Sequence, residues 1–146
     1  MKVLVIRVHR GELKAEGKVF STIGPGISVF VGLEKEDTRE GLITMAEKVV
    51  ALRIFEDERG KMNFSVKDKK YDILCIPNFT LCADTEGGRR PSFDNAMKPQ
   101  GAKNMYDEFV ELLKSYTIEV KTGIFGAHMD IQLDLDGPVN IILQAK

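Results

Sequence analysis

Tryptophan is absent from this 146-residue chain, and histidine and cysteine occur only twice each. Two cysteines, Cys75 and Cys82, are too few for a disulfide framework and are not spaced as a CxxC pair. Reduced thiols in a cytoplasmic protein are the reading that follows. His9 and His128 stand far apart, without HExxH or zinc-ligand spacing, so neither a metal nor another cofactor is expected. No GxSxG elbow and no GxxxxGK[ST] phosphate loop is present. Apolar runs are short, as from Val3 to Ile6, and none approaches the ~18 residues of a membrane span. The N-terminus passes from Lys2 straight into a strand-like run, which reads as no signal peptide. Charge of one sign is not in excess either: 21 basic and 22 acidic residues leave a net −1. The field of the whole molecule therefore does not gather nucleic acid, and any RNA contact has to come from a local patch.

What is present is ordinary globular composition, 43% hydrophobic and 29% charged. That excludes a disordered or collagen-like chain. One domain over residues 1–146 is expected, large enough to bury roughly 68–70% of its unfolded surface without a staple. Met1 to Val8 reads as a buried strand. Val19 to Ile23 and Ile27 to Leu33, joined by Gly24-Pro25-Gly26, read as a β-hairpin. Asp37 with Glu40 three residues on has N-cap spacing. Leu42, Ile43, Ala46, Val49 and Val50 then repeat as one face of a helix from about Thr38 to Leu52. Glu56 to Gly60 reads as a turn and Tyr71 to Ile76 as a central strand. A second helix is expected from about Pro99 to Tyr116, with Tyr106, Phe109, Val110 and Leu113 on one face. Met129, Ile131, Leu133 and Leu135 alternate with Asp130, Gln132 and Asp134, as in a strand with one wet face. A last strand follows from Val139 to Leu143. About six strands clustered at both ends, with two main helices, predict an α+β fold with a largely antiparallel or mixed sheet or barrel.

Three segments break the local pattern. Pro77 interrupts what otherwise reads as a central strand, and Asn78-Phe79-Thr80-Leu81 continues in extended or turn-like form. This is either a strand end with a bulge or a site, since local conflicts gather at sites. Gly87-Gly88-Arg89-Arg90-Pro91-Ser92-Phe93 joins flexible backbone to two forked guanidinium donors suited to phosphate; a solvated surface loop fits the same residues. Asp136-Gly137-Pro138-Val139 has the Asp-Gly of a tight hairpin turn, but the proline directly after it fits such a turn poorly. A plain proline-containing turn and a special backbone device both remain open.

In order and spacing these segments resemble the bacterial-type D-aminoacyl-tRNA deacylases over nearly the whole chain. The matching stretches are Arg7-Val8, Gly24-Pro25-Gly26 with Gly32, Leu52 to Phe55, Gly60 to Asn63, Phe79-Thr80-Leu81, Gly88 to Phe93, Thr122 to Ala127 with Met129, and Gly137-Pro138-Val139. The resemblance implies a cytoplasmic homodimer that clears D-amino acids, and also glycine, esterified to tRNA. It implies that Gly137-Pro138, with a cis bond, enters the partner's pocket, where its carbonyls hold the α-ammonium of a D-aminoacyl group. Arg7 would steady that segment, and Asn78 belongs to the same selecting motif. The N–H groups of Phe79 and Thr80 would face the ester carbonyl, with the terminal ribose 2′-hydroxyl assisting the chemistry. With no general attraction at net charge −1, Arg89 or Arg90 is expected to meet the tRNA phosphate backbone. No cofactor is implied.

The chain departs from the family pattern at three positions. Pro77-Asn78 replaces the usual Ser-Gln, and Asn140 replaces the usual Thr. A related animal branch that accepts some L-aminoacyl groups also carries the proline. These departures suggest a deacylase of relaxed chirality as a competing reading; a non-catalytic nucleic-acid-binding dimer and a small-ester hydrolase using Thr80 or Cys82 are the others.

Overall fold

The first strand is longer than its apolar run. A computed structural model describes residues 1–145, and in it β1 spans Lys2–Ala15. Its turn lies at Glu16 and Gly17, both at positive φ (52° and 75°). The chain then returns as β2 (Lys18–Ile23) and β3 (Gly26–Gly32), both antiparallel to β1. Gly11 opposes Ile23 and Val8 opposes Gly26, so the register continues unchanged across Gly24-Pro25. The expected β2–β3 hairpin is thus corrected. Gly24-Pro25 interrupts one long returning arm, and the reversal is made by Glu16-Gly17, where left-handed backbone suits a two-residue turn.

Helix α1 (Arg39–Ala51) follows, capped by the Thr38 hydroxyl, which accepts from the Gly41 N–H. Asp37 is not the cap; its carboxylate takes the Glu34 N–H instead. The buried stripe is Leu42, Met45, Ala46, Val49 and Val50, while Ile43, expected to face inward, is 39% exposed. A small hairpin, β4 (Phe55–Glu56) and β5 (Met62–Phe64), encloses the expected turn. The one-turn helix α2 (Val66–Lys69) has a Ser65/Asp68 capping box. Strand β6 (Asp72–Pro77) runs parallel to β3 on one side and to β7 (Val120–Thr122) on the other. Between β6 and β7, helix α3 (Pro99–Lys114) buries Ala102, Tyr106, Phe109, Val110 and Leu113.

The last strand, β8 (Asp130–Gln144), is one element rather than two joined by a turn. It runs antiparallel to β1 throughout. Val8 opposes Leu135 while Ile6 opposes Asn140, so residues 136–139 bulge opposite Arg7 alone. Proline lacks a ladder donor, and a bulge is where a strand tolerates it. The Gly137–Pro138 peptide is cis.

The architecture is α+β with a mixed, nearly closed sheet. Its order is β2-β1-β3-β6-β7, with β8 on β1. The Ser21 hydroxyl on β2 donates to the Thr122 carbonyl on β7 at 2.6 Å, bringing the ends together. Helices α1 and α3 cover one face, where Val3, Val5, Ile27, Val29, Ile73 and Cys75 form the main core with both helices. A smaller cluster of Val8, Leu13, Ile23, Leu74 and Ile76 lies on the other face. On that face Ile142, Leu4, Phe30 and Ile76 stand in one row across β8, β1, β3 and β6. Leu4 and Phe30 in this row are half-exposed, and Ile142 is 76% exposed.

Candidate active site

Strand β6 ends at Pro77, and the chain turns directly into a 3₁₀ turn, Phe79–Cys82. Asn78 makes the change of direction. Its N–H donates to the Val31 carbonyl at 2.7 Å, the last tie to β3. Its side-chain oxygen caps the turn, accepting from the Thr80 N–H at 3.2 Å and from the Thr80 hydroxyl. The segment expected to be extended or turn-like is thus a capped turn.

The Thr80 hydroxyl therefore donates to a carboxamide oxygen, a group that does not take protons. The Thr80 N–H is held by the same oxygen, while the Phe79 N–H has no acceptor among the described residues. Asn78 reaches these groups because its short side chain can fold back on its own turn. The resemblance implied two N–H groups turned toward the ester, and one of them is free here.

Beside this turn lies a cavity of about 440 Å³. Val31 comes from β3 and Leu33 from just beyond it, Pro77 from the end of β6, Asn78 and Phe79 from the turn, and Ala102 and Tyr106 from α3; Phe93, Met97 and Phe125 close the sides. The lining is mostly apolar and contains no carboxylate and no imidazole. Tyr106 donates its hydroxyl to the Cys75 carbonyl at 2.7 Å, and burial raises its pKa well above the ordinary range. It is a fixed wall, not a base. The sequence pattern assigned Tyr106 to the core face of α3 and did not reveal its part in the cavity. Periodicity identifies which face is buried and not where a hollow remains.

Neither cysteine is a ready nucleophile. Burial pushes the Cys75 thiol up to about 12. Cys82 is raised as well, by burial first and then by the Glu34 carboxylate. A thiolate is the reactive form, so a hydrolase built on Cys82 has no support.

Phe79 is 59% exposed and meets Phe93 edge-on, with ring centroids 5.0 Å apart. This pair ties the arginine loop to the turn. The loop is closed by reciprocal backbone bonds between Asp84 and Ser92, both 2.8 Å. Arg89 and Arg90 are exposed on it, and neither forms an ion pair with a described residue.

The Gly137-Pro138 segment lies elsewhere. Arg7 is 7% exposed and reaches it through Nε, which donates to the Asp136 carbonyl at 2.8 Å. Nη1 donates to the Ile54 carbonyl at 2.7 Å. Arg7 is level with Ile27 on β3 and Ile73 on β6, whereas Asn78 follows Pro77. The two motifs are thus about 16 Å apart along the strands and about 14 Å apart across three strand spacings. Neither Gly137 nor Pro138 lines the cavity beside Phe79. One chain brings Asn78, Phe79 and Thr80 together, and Arg7 with Gly137 and Pro138, but does not join the two sets.

The family model described as D-Tyr-tRNA(Tyr) deacylase matches residues 4–144. The chain is 47% identical to the D-aminoacyl-tRNA deacylase of Bacillus velezensis, over 100% of this chain and 99% of that one. It is 44% identical to the D-aminoacyl-tRNA deacylase of Aquifex aeolicus, with the same coverage. Among solved structures, one titled c-Myc DNA Unwinding Element Binding Protein superposes with a TM-score of 0.95 at 41% identity, covering 100% and 99% of the two chains. A probable eukaryotic D-amino acid tRNA deacylase shares the fold, with a TM-score of 0.84 at 17% identity over 97% of each chain. The likeness runs through both motifs and every strand between them: the chain belongs to the D-Tyr-tRNA(Tyr) deacylase family.

Proposed function

We propose that this protein hydrolyses the ester of D-aminoacyl-tRNA, and of glycine carried on tRNA, as a cytoplasmic step of translation quality control. Water adds to the ester carbonyl, the bond to the terminal ribose oxygen breaks, and free amino acid and tRNA leave. The observation that carries this reading is the disposition of the two motifs in a chain of this family. A free N–H stands beside an apolar cavity, and a Gly-Pro segment is held by a buried arginine roughly 20 Å away in the same chain.

A site needing both sets is completed by a second copy. The exposed Ile142 and half-exposed Leu4 and Phe30, in one row that ends at the buried Ile76, support this. It lies on the face the helices leave open, and it reaches β6 one residue before Pro77. In the dimer, Gly137-Pro138 of one protomer enters the cavity mouth of the other. The Gly137 and Pro138 carbonyls then accept from the α-ammonium, and the Phe79 N–H meets the developing oxyanion. One such donor is worth roughly 2.7–4 kcal/mol. The aminoacyl ester is already reactive, and the ribose 2′-hydroxyl assists, so no protein nucleophile is needed.

Thr80→Ala should accordingly retain deacylase activity within about tenfold, because it keeps the backbone N–H and removes only a hydroxyl with no base to activate it. Removal of a true nucleophile costs on the order of 10⁶-fold. Single-turnover release of amino acid from D-Tyr-tRNA separates the two, and an acyl-enzyme trapped at Thr80 would overturn this mechanism.

With a net charge of −1, attraction to tRNA has to be local, and the exposed Arg89 and Arg90 provide it. Each phosphate so neutralised steepens the dependence of log K on log salt by ~0.7–0.9. The Arg89→Ala, Arg90→Ala double variant should flatten that slope by about one unit for each phosphate no longer neutralised. An unchanged slope would make the loop structural only.

The experiment that tests the function is release of D-Tyr, L-Tyr and Gly from matched charged tRNAs. Release of D-Tyr and Gly with L-Tyr retained is expected. Binding of all three without release would favour a nucleic-acid-binding dimer.

A further inference from the structure

We infer that the Asp136 carboxylate is a positioning residue for chiral selection: it locks the Arg7 guanidinium, and through it the peptide that enters Gly137-Pro138. The inference rests on the stereochemical reading above. Residues 136–139 oppose Arg7 alone, so the regular ladder between β1 and β8 is interrupted where the segment leaves the sheet. The Arg7 side chain substitutes for it. Nε donates to the Asp136 carbonyl at 2.8 Å, directly before Gly137, and Nη1 donates to the Ile54 carbonyl at 2.7 Å. On the far side the segment is pinned by Val139, which is buried in the main core.

A guanidinium this buried needs an anion, and the carboxylate that answers it belongs to Asp136 itself. Its two oxygens lie 3.4 Å from Nη2 and 3.4 Å from Nε. Glu56, the other carboxylate, is farther, at 3.9 Å, and more exposed. His9 Nε2 stands 3.7 Å from the same Asp136 carboxylate on its open side. Asp136 thus binds Arg7 twice over, by carbonyl and by carboxylate. The carbonyl bond sets the height of the segment, and the carboxylate sets the plane of the guanidinium. Without the carboxylate, Arg7 keeps its carbonyl partners but loses the nearer counter-charge, and a poorly compensated buried cation turns toward water. The carbonyls that follow Asp136 then lose their fixed direction. Fixed direction is what separates a D from an L ester, whereas simple binding of the tRNA needs none of it.

Asp136→Asn, nearly isosteric and uncharged, tests this. The ratio of kcat/KM for D-Tyr-tRNA over L-Tyr-tRNA should fall at least tenfold. The dimer and the KM for D-Tyr-tRNA should move little. Asp136→Glu, which keeps the charge on a longer arm, should recover part of the ratio. A merely structural role would lower both rates together and leave the ratio unchanged, and that result would overturn the inference. The wild-type protein supplies an independent reading should the variants not fold. The Arg7 Nε–H should give a resolved resonance that exchanges slowly with water, and exchange at the rate of a free guanidinium would overturn the clamp. A wild-type enzyme with no D-over-L preference would sink the stereochemical reading itself. A large wild-type preference unmoved by Asp136→Asn would sink only the role of Asp136.

Discussion

Charged on the same tRNA, D-tyrosine should be released with a kcat/KM at least ~10⁴-fold above that for L-tyrosine. A pocket that senses bulk alone discriminates by only ~10–200-fold, whereas a site built on fixed hydrogen-bond geometry reaches ~10⁴–10⁵. The site proposed here is of the second kind. The Gly137-Pro138 segment leaves the sheet between a buried arginine on one side and a buried valine on the other. On the proposed reading, carbonyls so held accept from the α-ammonium and thereby fix the remaining substituents on Cα. A D side chain then points to open space, and an L side chain meets the Gly-Pro wall. Glycine has no side chain to clash, so Gly-tRNA should be cleaved as readily as the D-ester. Pro77 and Asn78 stand at the cavity and are the residues most able to relax this selection. Near-equal kcat/KM for D-Ala-tRNA and L-Ala-tRNA would assign the chain to a deacylase of relaxed chirality.

Ile142→Asp should yield a folded monomer whose deacylase activity falls by about two orders of magnitude or more at assay concentrations. Ile142 is the most exposed large apolar side chain of the described residues and sits in the row with Leu4, Phe30 and Ile76. Burying an isoleucine contributes ~1.5–3 kcal/mol. A two-fold interface counts it twice, so losing it costs ~3–6 kcal/mol. At 1.4 kcal/mol per tenfold, that weakens the dimer by ~10²–10⁴, before the charge of the aspartate is added. The fold should survive, because Ile142 belongs to neither buried cluster within one chain. Sedimentation velocity read beside the deacylation rate checks both halves. An Ile142→Asp protein that remains dimeric and active would place the interface on another face.

What the sequence displayed and what it concealed differ by the range of the interaction involved. The stripe Tyr106, Phe109, Val110 and Leu113 was legible because helical periodicity is local, and those residues are buried on α3. The same periodicity favours Ile43, yet Met45 is the buried residue on α1, since apolar character alone does not say which edge of a stripe meets the sheet. The reversal between β1 and β2 was missed because Glu16-Gly17 is a weaker turn signal than Gly24-Pro25-Gly26, which proved to be a break in a continuing arm. Helix α2 has one turn, too short for any period to appear. Asp136-Gly137-Pro138 could be flagged as an odd turn but not recognised as a bulge. Its partner is Arg7, 129 residues earlier, and only the folded sheet brings them together. Local pattern marks the three unusual segments and the phosphate-suited Arg89 and Arg90; the roles of Arg7, Asn78, Phe79, Thr80, Gly137 and Pro138 come from the family resemblance. The cap that Asn78 places on Thr80 was not foreseen, although a side chain short enough to fold back was visible.

The central claim is that one ester-cleaving site is assembled from two copies of this chain, and a complementation assay tests it most directly. A Cβ on Gly137 would lie 2.3 Å from the Val139 nitrogen, so Gly137→Ala must displace the Gly-Pro segment. Ala96→Trp fills the cavity beside Phe79. Each variant alone should fail to release D-tyrosine from D-Tyr-tRNA. Co-expressed, half of the dimers are mixed and each mixed dimer holds one intact site, so about a quarter of the wild-type rate should return. A mixture as inactive as its two parents, from chains shown to form mixed dimers, would contradict the account.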